Sequence, residues 1–82
     1  MEEVKLLSYL KIEIGERIRT LRESKGMTKT ELARRSSLFP TYVGQIERGE
    51  KSASIDSIYK ISSGLEVTLM EFFDFSNDEY EI

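Results

Sequence analysis

The sequence predicts a small all-α protein of five helices, and three observations carry that expectation. Apolar residues recur three or four apart along most of the chain, the spacing of one buried helix face. Two T-x-x-E segments, beginning at Thr28 and Thr68, have the pattern in which a threonine caps a helix and a glutamate three residues on reaches back to the cap's amide. Between Met27 and Gly49 two short amphipathic segments flank a break at Ser36-Ser37, which leaves room only for a tight turn.

From Val4 to Lys25 the residues Leu7, Leu10, Ile14, Ile18 and Leu21 mark one face of a first helix, ended by Lys25-Gly26 with a cation and a glycine cap. Gly15 interrupts the pattern, so the helix proper is expected after it, with the preceding segment a continuation or a separate arm. Leu32, Ala33 and Ser36 give the second helix a small-residued inner face that lets another helix cross closely. Val43, Ile46 and Glu47 form the inner side of the third, and Thr41, Tyr42, Gln45 and Arg48 its outer side. An apolar inner face with a polar, charged outer face is what a groove-inserting helix needs, and two short helices joined by a turn are the shape of a DNA-reading helix-turn-helix. Arg22 and Glu47 both border inward faces, and opposite charges forced toward one core pair, since stranding either costs about 3 to 5 kcal/mol.

After a polar loop at residues 49–53, Ser54 caps a fourth helix bearing Ile55, Ile58, Ile61 and Leu65, which Gly64 closes. The fifth starts at Thr68 and carries Leu69, Met70, Phe72 and Phe73, with Phe75 just beyond. That is more apolar surface than one short helix buries within its own domain, so these four residues are expected at a dimer interface. Residues 1–75 form the DNA-binding and dimerisation domain, and 76–82, SNDEYEI, a flexible acidic tail.

The 82 residues contain neither cysteine nor histidine. Disulfides and thiolate metal sites are therefore excluded, and with no phosphate-binding glycine loop most routes to general-base or metal catalysis are removed, so neither an enzyme nor a cofactor or metal is expected. MEEVKLL is acidic without a long apolar run, which argues against a signal peptide or membrane span and for a soluble cytoplasmic protein. The net charge of −3 conceals a polarity. Residues 1–51 hold 11 Lys/Arg against 8 Asp/Glu, a net +3, and residues 52–82 hold 1 against 7, a net −6. A basic half containing the helix-turn-helix can face DNA while the acidic half faces solvent or a protein.

R-I-R-x-L-R-x-x-K-G-M-T at residues 17–28, E-L-A at 31–33 and T-Y-V-x-Q-I-E-R-G at 41–49 resemble the XRE-type, phage-repressor-like helix-turn-helix family. Within it, the length and the L-F-P-T-Y-V-G-Q-I-E-R stretch are similar to the controller proteins of restriction-modification systems. The resemblance implies a five-helix bundle, a two-fold homodimer through the last helices, a palindromic double-stranded DNA operator, and RNA polymerase as a further candidate partner. It places base-reading positions on Pro40, Thr41, Tyr42 and Gln45, and phosphate contacts on Thr28, Lys29, Arg48 and Lys51. It also implies a structural salt bridge between Arg22 and Glu47.

Three positions depart from the family's pattern. Ser37 stands where glycine is usual, so a left-handed backbone there costs roughly 1 to 2 kcal/mol. Pro40 replaces an arginine common in controllers; proline has no donor for guanine and fits the first position of a helix. Gly44 weakens the third helix by about 1 kcal/mol relative to alanine. The rival reading is an antitoxin-like module that binds a partner protein as well as DNA.

Overall fold

Five helices form the structure, a computed structural model that describes residues 2–75, with side chains from residue 3 onward. They are α1 (Glu2–Ser24), α2 (Lys29–Ser36), α3 (Pro40–Glu47), α4 (Ile55–Leu65) and α5 (Leu69–Phe72). The acidic tail expected at 76–82 lies outside the described residues.

α1 runs unbroken through Gly15, so the segment before it is a continuation and not a separate arm, and the buried Gly15 marks a crossing. A Cβ at Gly15 would run into the carbonyl oxygen of Ile46 and lie 2.7 Å from that of Glu47. Glycine there costs helix propensity, about 1 kcal/mol, and lets the end of α3 lie directly against α1. Gly64 behaves alike. It does not close α4, which continues to Leu65 and is capped by Glu66 in the left-handed region. A Cβ at Gly64 would meet Ser36 Oγ and sit 3.3 Å from Leu32 Cδ1, so the small inner face of α2 is what α4 crosses. The Ser36 hydroxyl, enclosed at that crossing, has no hydrogen-bond partner among the described residues.

Ile18, Leu32, Ala33, Val43, Ile46, Ile58, Ile61, Leu65 and Phe72 make one core. The expected apolar faces hold for most of their length and fail at their ends. Leu7 and Leu10 are 61% and 42% exposed. A 23-residue helix is about 34 Å long while α2 and α3 each span about 12 Å, so the first turns of α1 overhang the bundle. Ile55, the first residue of α4, is exposed, a full turn outside the layer held by Ile58. Phe72, expected at an interface, is fully buried in its own core. Its neighbours Leu69, Met70 and Phe73 remain exposed.

At four residues α5 is too short to persist alone, and its contacts explain its order. Thr68 and Glu71 close a complete capping box: the Thr68 amide donates to Glu71 Oε1 at 2.7 Å, and the Glu71 amide to Thr68 Oγ1 at 3.0 Å. From α1, Arg17 donates through Nε to the Phe72 carbonyl and through Nη2 to the Glu71 carbonyl, both at 2.7 Å, and its guanidinium lies over the Phe75 ring. Sequence reasoning missed Arg17, whose only signal was its place beside the inward Ile18.

Candidate nucleic-acid interface

The turn between α2 and α3 fixes how the second helix is presented. Ser37 takes the left-handed conformation (φ 57°, ψ 41°), its amide donating to Arg34 O at 3.2 Å, and the Leu38 amide donates to Ala33 O at 2.9 Å. The two bonds satisfy the last carbonyls of α2 while serine bears the conformational cost. Leu38 packs on the core, and Pro40 begins α3, where a missing amide hydrogen costs nothing.

Across the core from this turn, Arg22 and Glu47 lock α1 to the end of α3. Arg22 Nε and Nη2 donate to the two carboxylate oxygens of Glu47 at 2.7 and 3.1 Å, and Nη1 donates to the Met27 carbonyl at 2.8 Å. Both residues are only 8% exposed. The hydrogen bond to Glu47, more than any other influence, raises the Arg22 pKa above its ordinary value.

On the solvent side of α3, Thr41, Gln45 and Arg48 follow one another at intervals of four and three residues and so share a stripe. Thr41 and Arg48 are exposed and Gln45 is half-buried. Tyr42, one residue off the stripe, turns away from the expected outer side. It is half-buried against the core, with its hydroxyl 3.0 Å from Ser57 Oγ on α4. Gly44 is buried beneath Arg48, whose Nη1 would lie 3.2 Å from a Cβ at that position.

The candidate phosphate contacts lie at two helix ends. Thr28 caps α2, its Oγ1 accepting from the Glu31 amide at 3.0 Å, and Lys29 follows as the first helical residue. The reciprocal half of that capping box is not made, because the Glu31 carboxylate turns to Arg34 and Arg35, each at 2.7 Å. Hydrogen bonds from Arg34 first and Arg35 second lower the Glu31 pKa to about 2. Past the far end of α3, Arg48 is held by Glu50 through bonds of 2.7 and 3.2 Å, which raise the arginine's pKa and lower the glutamate's. A phosphate reaching Arg48 therefore competes with Glu50 for Nε and Nη2. Lys29 and Lys51 are exposed and form no ion pair among the described residues.

Phe39 carried no functional assignment from the sequence. It is the N-cap of α3, makes no side-chain cap hydrogen bond, and is 80% exposed.

The helix-turn-helix family HTH_3 matches residues 18–72, from the last third of α1 to the end of α5. The chain belongs to that family. It is a DNA-binding transcriptional regulator and not an enzyme, as the family assignment and its regulator relatives establish. The control protein C.BamHI of Bacillus amyloliquefaciens is 37% identical over 72 residues, covering 87% of this chain and 89% of that protein. The crystal structure of the restriction-modification controller protein C.AhdI from Aeromonas hydrophila superimposes with a TM-score of 0.74 at 36% identity, covering 77% of this chain and 96% of that one. The restriction-modification controller protein C.Esp1396I, solved as a tetramer in complex with its natural 35 base-pair operator, gives a TM-score of 0.78 at 37% identity, covering 82% and 88%. Among the described residues no helix is long and apolar enough to cross a membrane.

Proposed function

We propose that this regulator acts in the cytoplasm as a homodimer on a palindromic operator, and that it is the controller of a restriction-modification system. The assignment to that class rests on C.BamHI and C.AhdI, each of which this chain matches over most of both lengths. The dimer rests on exposed apolar surface. Leu69 and Met70 of α5 and Phe73 just after it are exposed, and Phe73 lines a groove of about 240 Å³ with Tyr9, Leu10, Glu13, Ile14 and Phe75. Pairing that surface across a two-fold axis covers it and sets two α3 helices to reach successive major grooves, about 34 Å apart. RNA polymerase is then the machinery whose access or recruitment the bound dimer changes.

In this reading Gln45 projects from the middle of the α3 stripe, and a glutamine there pairs with both major-groove edges of adenine. Gln45→Ala is expected to relax preference at one base pair per half-site by about 1 to 3 kcal/mol, with little change elsewhere. Affinities for a panel of single-base operator variants check this. A uniform loss across the panel would move Gln45 to a positioning role and contradict the base-reading assignment. Thr41 and Pro40 complete the reading edge at the start of α3, where Thr41 can offer a methyl group to thymine and proline only shape. Tyr42 contributes with whatever edge its bond to Ser57 leaves free.

Thr28, Lys29, Arg48 and Lys51 are the proposed phosphate contacts. Alanine at Lys29, Arg48 and Lys51 together should weaken binding to all sequences alike and reduce the slope of log affinity against log salt by roughly 0.9 for each lost contact. Arg48 alone should contribute less than either lysine, because Glu50 already neutralises it in the free protein. An unchanged slope in the triple variant would overturn the assignment.

A further inference from the structure

We infer that Phe39 is a base-reading residue that recognises the 5-methyl group of a thymine in each half-site; the inference rests on α3 being the reading helix. Phe39 occupies the N-cap of α3, a position where serine, threonine, asparagine or aspartate would bond a free amide of the first turn. It makes no such bond. Nor does it pack: it is 80% exposed and takes no part in the core, although Leu38 beside it does. The side chain therefore forgoes both the capping and the burial that would justify an aromatic residue there. A local rule broken without structural return marks a functional position.

The place of Phe39 determines what it can meet. The N-terminal residues of a recognition helix are the ones that approach base edges, and in the major groove only thymine presents a methyl group. Pro40 follows with no amide hydrogen, so this end of α3 offers an apolar pair rather than donors. An apolar pair discriminates for a methyl and against the polar edges of guanine and cytosine. Thr41, exposed on the next position, supplies the first hydroxyl along the helix.

The test uses the full chain and an operator selected from random duplexes. Each thymine in turn is replaced by deoxyuridine, which removes the methyl and leaves every hydrogen bond in place, and binding is compared between the wild type and Phe39→Ser. The wild type should lose affinity at one thymine, about fourfold for one half-site and roughly fifteenfold when both are changed, as expected for one buried methyl at each. Phe39→Ser should bind the thymine and uracil operators equally. It should also melt at a higher temperature than the wild type, because serine restores the cap. Equal sensitivity to uracil in both proteins, or none at any thymine in the wild type, would overturn the inference. If Thr41→Ala, Gln45→Ala and Phe39→Ser each selected the same operator with undiminished discrimination, the assignment of α3 as the reading helix would fail, and Phe39 with it.

Discussion

Glu47→Ala is expected to destabilise the domain by about 3 to 5 kcal/mol, a large part of the 5 to 15 kcal/mol typical of a whole domain. Arg22 is 8% exposed in the intact protein, and the substitution leaves its guanidinium the Met27 carbonyl as acceptor, with the exposed Glu23 carboxylate 3.9 Å away. Stranding that charge accounts for most of the cost; the intact pair is worth much less than its removal suggests, because burying both ions was itself unfavourable. Replacing both partners together, Arg22→Met with Glu47→Leu, should recover most of the loss. Urea unfolding followed by circular dichroism checks both proteins. If the double variant were as unstable as the single, the pair would be holding α1 to α3 through geometry that apolar packing cannot replace.

Met70→Asp is expected to give a folded monomer whose operator affinity falls about a hundredfold or more, the factor gained when two reading helices are held together. Met70 is 81% exposed, so the change disturbs no core contact. Phe73 is the poorer choice because it packs edge-on against the buried Phe72, at 5.0 Å between ring centres. Across a two-fold axis the new carboxylate would face its own copy or apolar surface, and either opposes association. Sedimentation of wild type and variant at micromolar concentration checks the assembly. A wild type that sediments as a monomer and still binds its operator at full affinity would contradict the dimer.

The five helices were legible because the core positions obey helical spacing over most of their length, and because T-x-x-E and serine caps mark three of the four starts after the first. Gly64 is misread as a helix end, and Gly15 leaves open whether the segment before it continues the helix. A glycine that ends a helix and one that lets two helices touch look identical in sequence, and only the facing residue distinguishes them: the Ile46 carbonyl in one case, Ser36 in the other. Periodicity also overstated burial at Leu7, Leu10 and Ile55, since it reports which face is apolar and says nothing of whether a neighbouring helix extends that far. Phe72 went wrong for the complementary reason. Four apolar residues among the five at 69–73 leave open which one turns inward, and the bonds from Arg17 to the end of α5 come from 54 and 55 positions away.

The candidate interface was less legible than the fold. The outer stripe of Thr41, Gln45 and Arg48 follows from spacing alone, but Tyr42 sits one residue off it and is drawn to Ser57 by a contact 15 residues distant. Neither the Glu50 that occupies Arg48 nor the arginines that occupy Glu31 can be read from a charge count. Phe39 shows the reverse difficulty: a phenylalanine among hydrophobic neighbours suggests core until its exposure is known.

Selection of binding sites from random duplexes by the purified full-length protein tests the central claim most directly. The account predicts enrichment of one inverted repeat whose half-site centres lie about 10 base pairs apart, or a multiple of that. Recovery of no common sequence, or of a single site without two-fold symmetry, would contradict it.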